Sequence, residues 1–202
     1  MTHAMAGLPA LQWTGDEAVA LVDDDHTALT LVAAAGVDWT NDAGGGPQQH
    51  AASALAFAAP EGDFVLQARV TVEGPRTTFD AGALVLWADR DHWAKLCFEY
   101  SPQGDAMVVS VVTDAFSDDS NGPVVTDASV FLRLARVGDA VAFHFSLDGE
   151  RWDFVRVFRL PSSSAPWQVG FLSQAPMGDA CTAVFDQVEY AERTLEDLRD
   201  GS

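Results

Sequence analysis

The apolar residues of this chain come in short runs of five to nine, each closed off by Gly, Pro, Asp or Asn. That punctuation suits strands of a sandwich or barrel far better than helices, which need longer stretches with a 3.6-residue period. Strands are expected near Ala18–Val22, Leu29–Ala34, Ser53–Ala58, Phe64–Val72, Ala81–Ala88 and His92–Tyr100, and again near Ala106–Thr113, Val130–Arg136, Val141–Leu147, Asp153–Phe158, Gln168–Ser173 and Thr182–Tyr190. Roughly a dozen strands make two antiparallel sheets of about six. Asp148-Gly149 marks a hairpin, and Gly138-Asp139 and Gly104-Asp105 punctuate two more strand pairs. Gly44-Gly45-Gly46-Pro47 is too short to separate domains, so residues 1–202 read as one all-β domain. The stretch Glu192–Arg199 reads as a short helix or a tail.

Charge narrows the partners. With 30 acidic residues against 11 basic ones the formal charge is -19, a surface that repels phosphate backbones and anionic lipid. Nucleic acid and membrane are therefore not expected as partners. The acids gather at turn-like places such as Asp23-Asp24-Asp25, and the five histidines show no paired metal spacing, so no metal or cofactor is expected. Two separated cysteines, Cys97 and Cys181, and no leader-like start predict reduced, buried thiols and a cytoplasmic location.

Function is best sought on the strand His92–Tyr100. Alternation puts Ala94, Leu96, Phe98 and Tyr100 on a core face and Trp93, Lys95, Cys97 and Glu99 on the other. Met107–Val112 is apolar on both faces, as a central strand covered on both sides would be, which makes the mixed face a groove rather than plain exterior. Lys95 is the only lysine in the chain, a compact point donor among arginines. Glu99 lies about 13 Å along the strand from it, so Asp80 or Asp118 on a neighbouring strand is the expected partner. Trp93 and Trp87 could stack on a sugar or simply pack. Ser117–Gly122 reads as a polar loop. Asp80, Glu99 and Asp118 are the candidate acids, but no nucleophile elbow or phosphate-binding loop accompanies them.

Several short motifs resemble, in order, a family of domains of unknown function named for a "regulation of enolase" protein. They are Phe79-Asp80-Ala81-Gly82-Ala83-Leu84-Val85-Leu86, Trp93-Ala94-Lys95, Glu99-Tyr100, Ser110-Val111-Val112-Thr113, Ser117-Asp118-Asp119-Ser120, Arg133, Gly138-Asp139, and Ser146-Leu147-Asp148-Gly149 with Trp152 and Arg156. The resemblance covers about residues 37–190 and implies a concanavalin A-like jelly roll, the fold of lectins and glucanases. This chain departs from the family's usual pattern at Ala81, where a Gln is common, at Trp87, commonly Arg, and at Asp119, commonly Trp.

The expected function is binding of a carbohydrate or other small polar ligand on one sheet face, with Trp87 and Trp93 stacking and Asp80, Lys95, Glu99, Asp118 and Arg133 hydrogen-bonding. The alternatives are a glycoside-active enzyme using two of the carboxylates, and a regulatory domain that binds another protein.

Overall fold

A computed structural model describes residues 2–161 and 165–202. In chain order the strands are β1 (Gln12–Trp13), β2 (Val19–Val22), β3 (Leu29–Ala34), β4 (Trp39–Asn41), β5 (Gln48–His50), β6 (Leu55–Ala58), β7 (Phe64–Glu73) and β8 (Ala81–Asp89). They continue with β9 (His92–Tyr100), β10 (Ala106–Asp114), β11 (Phe116–Val124), β12 (Ser129–Val137), β13 (Ala140–Ser146), β14 (Asp153–Phe158), β15 (Gln168–Gln174) and β16 (Ala180–Ala191). Two seven-stranded antiparallel sheets, ordered β1-β6-β15-β8-β9-β10-β11 and β14-β13-β12-β7-β16-β3-β2, stack as a sandwich, and β4-β5 forms a separate hairpin. Each of the twelve expected strands is present. The hairpin turns fall where Gly104, Gly138 and Gly149 supply a positive φ.

Alternation builds the core. On β7 the residues Phe64, Leu66, Ala68, Val70 and Val72 point inward, meeting Leu84, Leu96, Phe98 and Phe171 from the facing sheet. Gly82 lets the sheets close: a Cβ there would stand 2.7 Å from Val70 Cγ1 and 2.9 Å from the Ala183 methyl. Cys181 lies in this core, whereas Cys97 faces the other side of the first sheet; both are free, buried thiols.

The outer face of the first sheet is covered as well. Trp39, from the β4–β5 hairpin, joins Ala81, Ala83, Val85, Trp93, Cys97, Val109, Val111 and Leu172 in a second apolar cluster. This cover, not a central place in the sheet, explains the doubly apolar Met107–Val112: β10 lies second from the edge.

Two further expectations are corrected. Ser117–Gly122 is not a loop but most of the edge strand β11, paired with β10 from Met107 to Asp114. Residues 192–202 form turns rather than a helix, and they are docked on the outer face of the second sheet. Leu195 is buried against Val65 and Ala135 there, and the carbonyls of Leu198 and Gly201 meet His144 Nε2 and an Arg133 guanidinium donor.

Candidate ligand groove

Strand register sets out the floor of a groove on the covered face of the first sheet. One cross-strand row runs Val85, Lys95, Val111, Asp119; the next runs Ala83, Cys97, Val109, Asn121; a third sets Ala81 beside Glu99 and Met107. The short side chains of Ala81 and Ala83 leave depth over β8, beside Lys95 and Glu99 of β9. The resulting cavity holds about 320 Å³, with Trp39, Thr40 and Gln49 on one side, and Phe79, Pro176 and Met177 on the other. A larger cavity of about 500 Å³ beside β2 and β3 has walls made mainly of Trp13, Val19, Leu31, Ala33 and Val37 and brings together fewer polar groups. Convergent polar groups in a partly apolar recess are what distinguish a ligand site.

Lys95 anchors the groove and is only 3% exposed. Its ammonium donates three hydrogen bonds, to Asp38 Oδ1 at 2.9 Å, the Trp39 carbonyl at 2.7 Å and Gln174 Oε1 at 2.8 Å. The ammonium therefore has no donor left over, which fits a compact cation better than a guanidinium fork. The partner is Asp38, not Asp80 or Asp118. An isolated bridge between Val37 and Ala175 sets Asp38 and Gln174 side by side around the lysine. Burial is the largest single influence and opposes the charge on Lys95, but Asp38, Cys97 and Glu99 together outweigh it and hold the ammonium above the ordinary lysine range.

Gln174 passes the constraint on. Its Nε2 donates to the Phe79 carbonyl at 2.9 Å, while the Phe79 amide donates to Tyr100 O at 2.7 Å. Held at both ends, Phe79 adopts φ 68°, a left-handed conformation costly for a bulky residue, and stands partly exposed at the groove rim.

Glu99 is placed differently. It is 8% exposed and, among the described residues, has no hydrogen-bond partner, yet it lines the groove. Burial raises its carboxyl to about 7; Lys95 opposes that rise, and Asp38 and Asp119 reinforce it. Asp119, toward the open mouth, is raised in the same sense by desolvation and by the neighbouring carboxylates, again against Lys95. Burial also pushes the Cys97 thiol well above its usual value, so it is not a poised thiolate.

Of the seven residues singled out from sequence, only Lys95 and Glu99 line this groove. Trp93 shares their face but is fully buried; its ring lies 5.7 Å from Lys95 Nζ, and no face is left for a sugar. Trp87 is half-buried against Trp39, ring centroids 4.4 Å apart, with His50 at 6.0 Å. Asp80 is buried beneath Gly178, where its Oδ2 accepts the Thr77 amide. Asp118 points to the opposite face of the edge strand and pairs with Arg156 at 3.4 Å. Arg133 belongs to the other sheet, where its guanidinium lies 3.6 Å from the Trp152 ring centroid and helps hold the C-terminal tail.

Sequence reading missed Asp38, Trp39 and the β4–β5 hairpin. That hairpin is pinned by Asn41, whose Nδ2 donates to the carbonyls of Arg90 and Ala115 and whose amide donates to Ser117 Oγ. The Trp39 indole also donates to Ala52 O at 2.7 Å. The one advance signal was Asp38-Trp39-Thr40-Asn41, a short polar–aromatic alternation ahead of a glycine-rich turn.

The architecture is shared with solved structures. A functionally unknown protein from Saccharomyces cerevisiae superposes with a TM-score of 0.81 at 22% identity, over 91% of this chain and 97% of that one. A xylan beta-1,4-xylosidase from Bacillus halodurans C-125 superposes at 0.67 with 17% identity, over 82% of this chain but 33% of the xylosidase, so this chain spans a third of that protein. The alginate lyase from Klebsiella pneumoniae gives 0.56 at 12% identity, over 88% and 85% of the two chains. These likenesses establish a jelly-roll type of sandwich and nothing finer. No curated protein matches the sequence. The family described as "Protein of unknown function (DUF1349)" matches residues 14–193, and the chain belongs to that family.

Proposed function

We propose that this domain binds a carbohydrate or a comparably small polar ligand in the groove over β8–β11. The observation that carries the reading is the groove itself, where Glu99, without a hydrogen-bond partner among the described residues, shares a recess with the exposed apolar side chains of Phe79 and Met177. A sugar presents both kinds of surface at once, hydroxyls for Glu99, Asp119, Asn121 and Gln49, and C–H faces for the walls. Gln174 and Lys95 hold the walls and floor in place, so the ligand meets a site already formed. Sandwiches of this type also occur in proteins named for acting on xylan and alginate, which favours a saccharide among polar ligands.

Glycoside hydrolysis fits less well. Glu99 and Asp119 are two strands and four residues apart, roughly 16 Å between Cα atoms at ~4.8 Å per strand and ~3.3 Å per residue. Hydrolases set the carboxyl groups themselves about 5–9.5 Å apart, so both side chains would have to lean toward each other to meet that spacing. Asp118, on the other face, is no substitute.

A glycan array followed by thermal-shift measurements tests the proposal. Reproducible binding that is lost in Asn121→Arg, which puts a long side chain across the mouth, is the expected result. No response across broad panels, or undiminished binding by Asn121→Arg, would end it.

A further inference from the structure

Charge within the groove goes beyond its capacity for a polar ligand. Lys95 is already matched by Asp38 at 2.9 Å, and Arg76, behind the sheet, donates to the Asp80 and Phe98 carbonyls. Lys95 acts on Glu99 and Asp119 only through space, and among the described residues neither carboxylate makes a salt bridge. An acidic pair at a surface would mean little, but Glu99 is more than nine-tenths buried, has no hydrogen-bond partner among the described residues, and lines the groove. A carboxylate in that position carries the desolvation cost of burial with no hydrogen bond to offset it, a condition a suitable ligand group would relieve.

We propose that the groove is selective for a ligand bearing a primary ammonium group, an amino sugar in the terms of the binding function above, with the ammonium seated against Glu99. This rests on the groove being a ligand site at all. A donor-only cation supplies what Glu99 lacks, and it forms a charge-assisted bond, stronger than one from a neutral hydroxyl. Asp119, farther along the groove, deepens the negative potential without sharing the contact. Anionic sugars are disfavoured for the same reason. A metal ion is a poorer occupant, since among the described residues no three of His, Cys, Asp and Glu are grouped to hold one.

Three β-1,4-linked disaccharides that differ only at carbon 2 make the test: a free amine in the glucosamine dimer, an N-acetyl group in its acetylated form, and a hydroxyl in cellobiose. Isothermal titration calorimetry on the full chain at pH 7 and low salt should show the amine form binding at least about tenfold more tightly than either neutral one. Glu99→Gln keeps the size of the side chain, removes its charge, and should erase that preference, so that within the variant the amine form binds no more tightly than the two neutral sugars. Circular dichroism confirms that the variant is folded, and Glu99→Asp, which retains a charge, should keep part of the preference.

Equal or weaker binding of the amine form refutes the ammonium assignment and leaves the groove-binding proposal standing. No binding by any of the three, together with silence on the array, refutes both. An amine preference that survives in Glu99→Gln would trace to the general negative charge of the surface and refute the assignment to Glu99.

Discussion

Removing the Asp38 side chain should be among the most damaging single changes available at the groove. In Asp38→Ala the Lys95 ammonium keeps the Trp39 carbonyl and Gln174 but loses its counter-charge while remaining 3% exposed. Breaking a buried pair by deleting one partner costs about 3–5 kcal/mol, because the remaining charge is left uncompensated. Glu99 softens this. Loss of the Asp38 anion removes one of the influences raising the Glu99 pKa, so Glu99 ionises more readily and becomes the substitute counter-charge. The expected loss therefore lies toward the lower end, about 3 kcal/mol. For a domain of this size that corresponds to a fall in Tm of roughly 6–12 °C. Lys95→Met should cost less, since Asp38 Oδ1 still accepts the Trp39 amide at 2.7 Å. Urea titrations at pH 7.5 measure both, read as midpoint shifts at constant slope. A loss below about 1 kcal/mol in Asp38→Ala, or a larger loss in Lys95→Met than in Asp38→Ala, would refute the idea that Lys95 is a buried cation dependent on this carboxylate.

The remaining predictions concern the groove's acid, its strained rim and the sheet contact beneath it. Because the Glu99 pKa is raised from 4.5 to about 7 in the folded chain, its contribution to stability is fully present below pH ~4.5 and is lost as pH rises through 7. Glu99→Gln should flatten the fall in stability between pH 5 and 8 and be the more stable protein at pH 8, by on the order of 3 kcal/mol at most; a parallel pH profile for the two proteins contradicts this. Phe79→Gly relieves a left-handed φ but frees the unfolded chain, so the unfolding free energy should change by less than about 1 kcal/mol while ligand affinity falls. Gly82→Ala forces a methyl against Val70 and Ala183 and should cost about 1–3 kcal/mol in the same assay, with no change in m.

Much of the fold was legible because strands with one face on a core write their register into the sequence. Trp93, Lys95, Cys97 and Glu99 do share a face, as alternation requires. Alternation says which face, however, and nothing about what covers it. The β4–β5 hairpin contributes three residues per strand around a Gly-rich turn, too few to show a period, so the Asp38 carboxylate 57 residues from Lys95 went unseen. The edge strand β11 was hidden by polarity: a strand paired on one side, with Asp119 and Asn121 at an open mouth and Asp118 in solvent, has no need of apolar residues. Arg133 was grouped with the wrong sheet because order along the chain does not encode which layer a strand joins.

The burial of Lys95 has a practical side. As the only lysine, it is the sole ε-amine of the chain, and in the folded protein it is sealed beneath Trp39 and Gln174. An acylating reagent can reach it only when the hairpin lifts or the sandwich opens. The rate at which that amine becomes modified is thus an intrinsic clock for opening of the groove, readable by mass without adding any probe to the molecule.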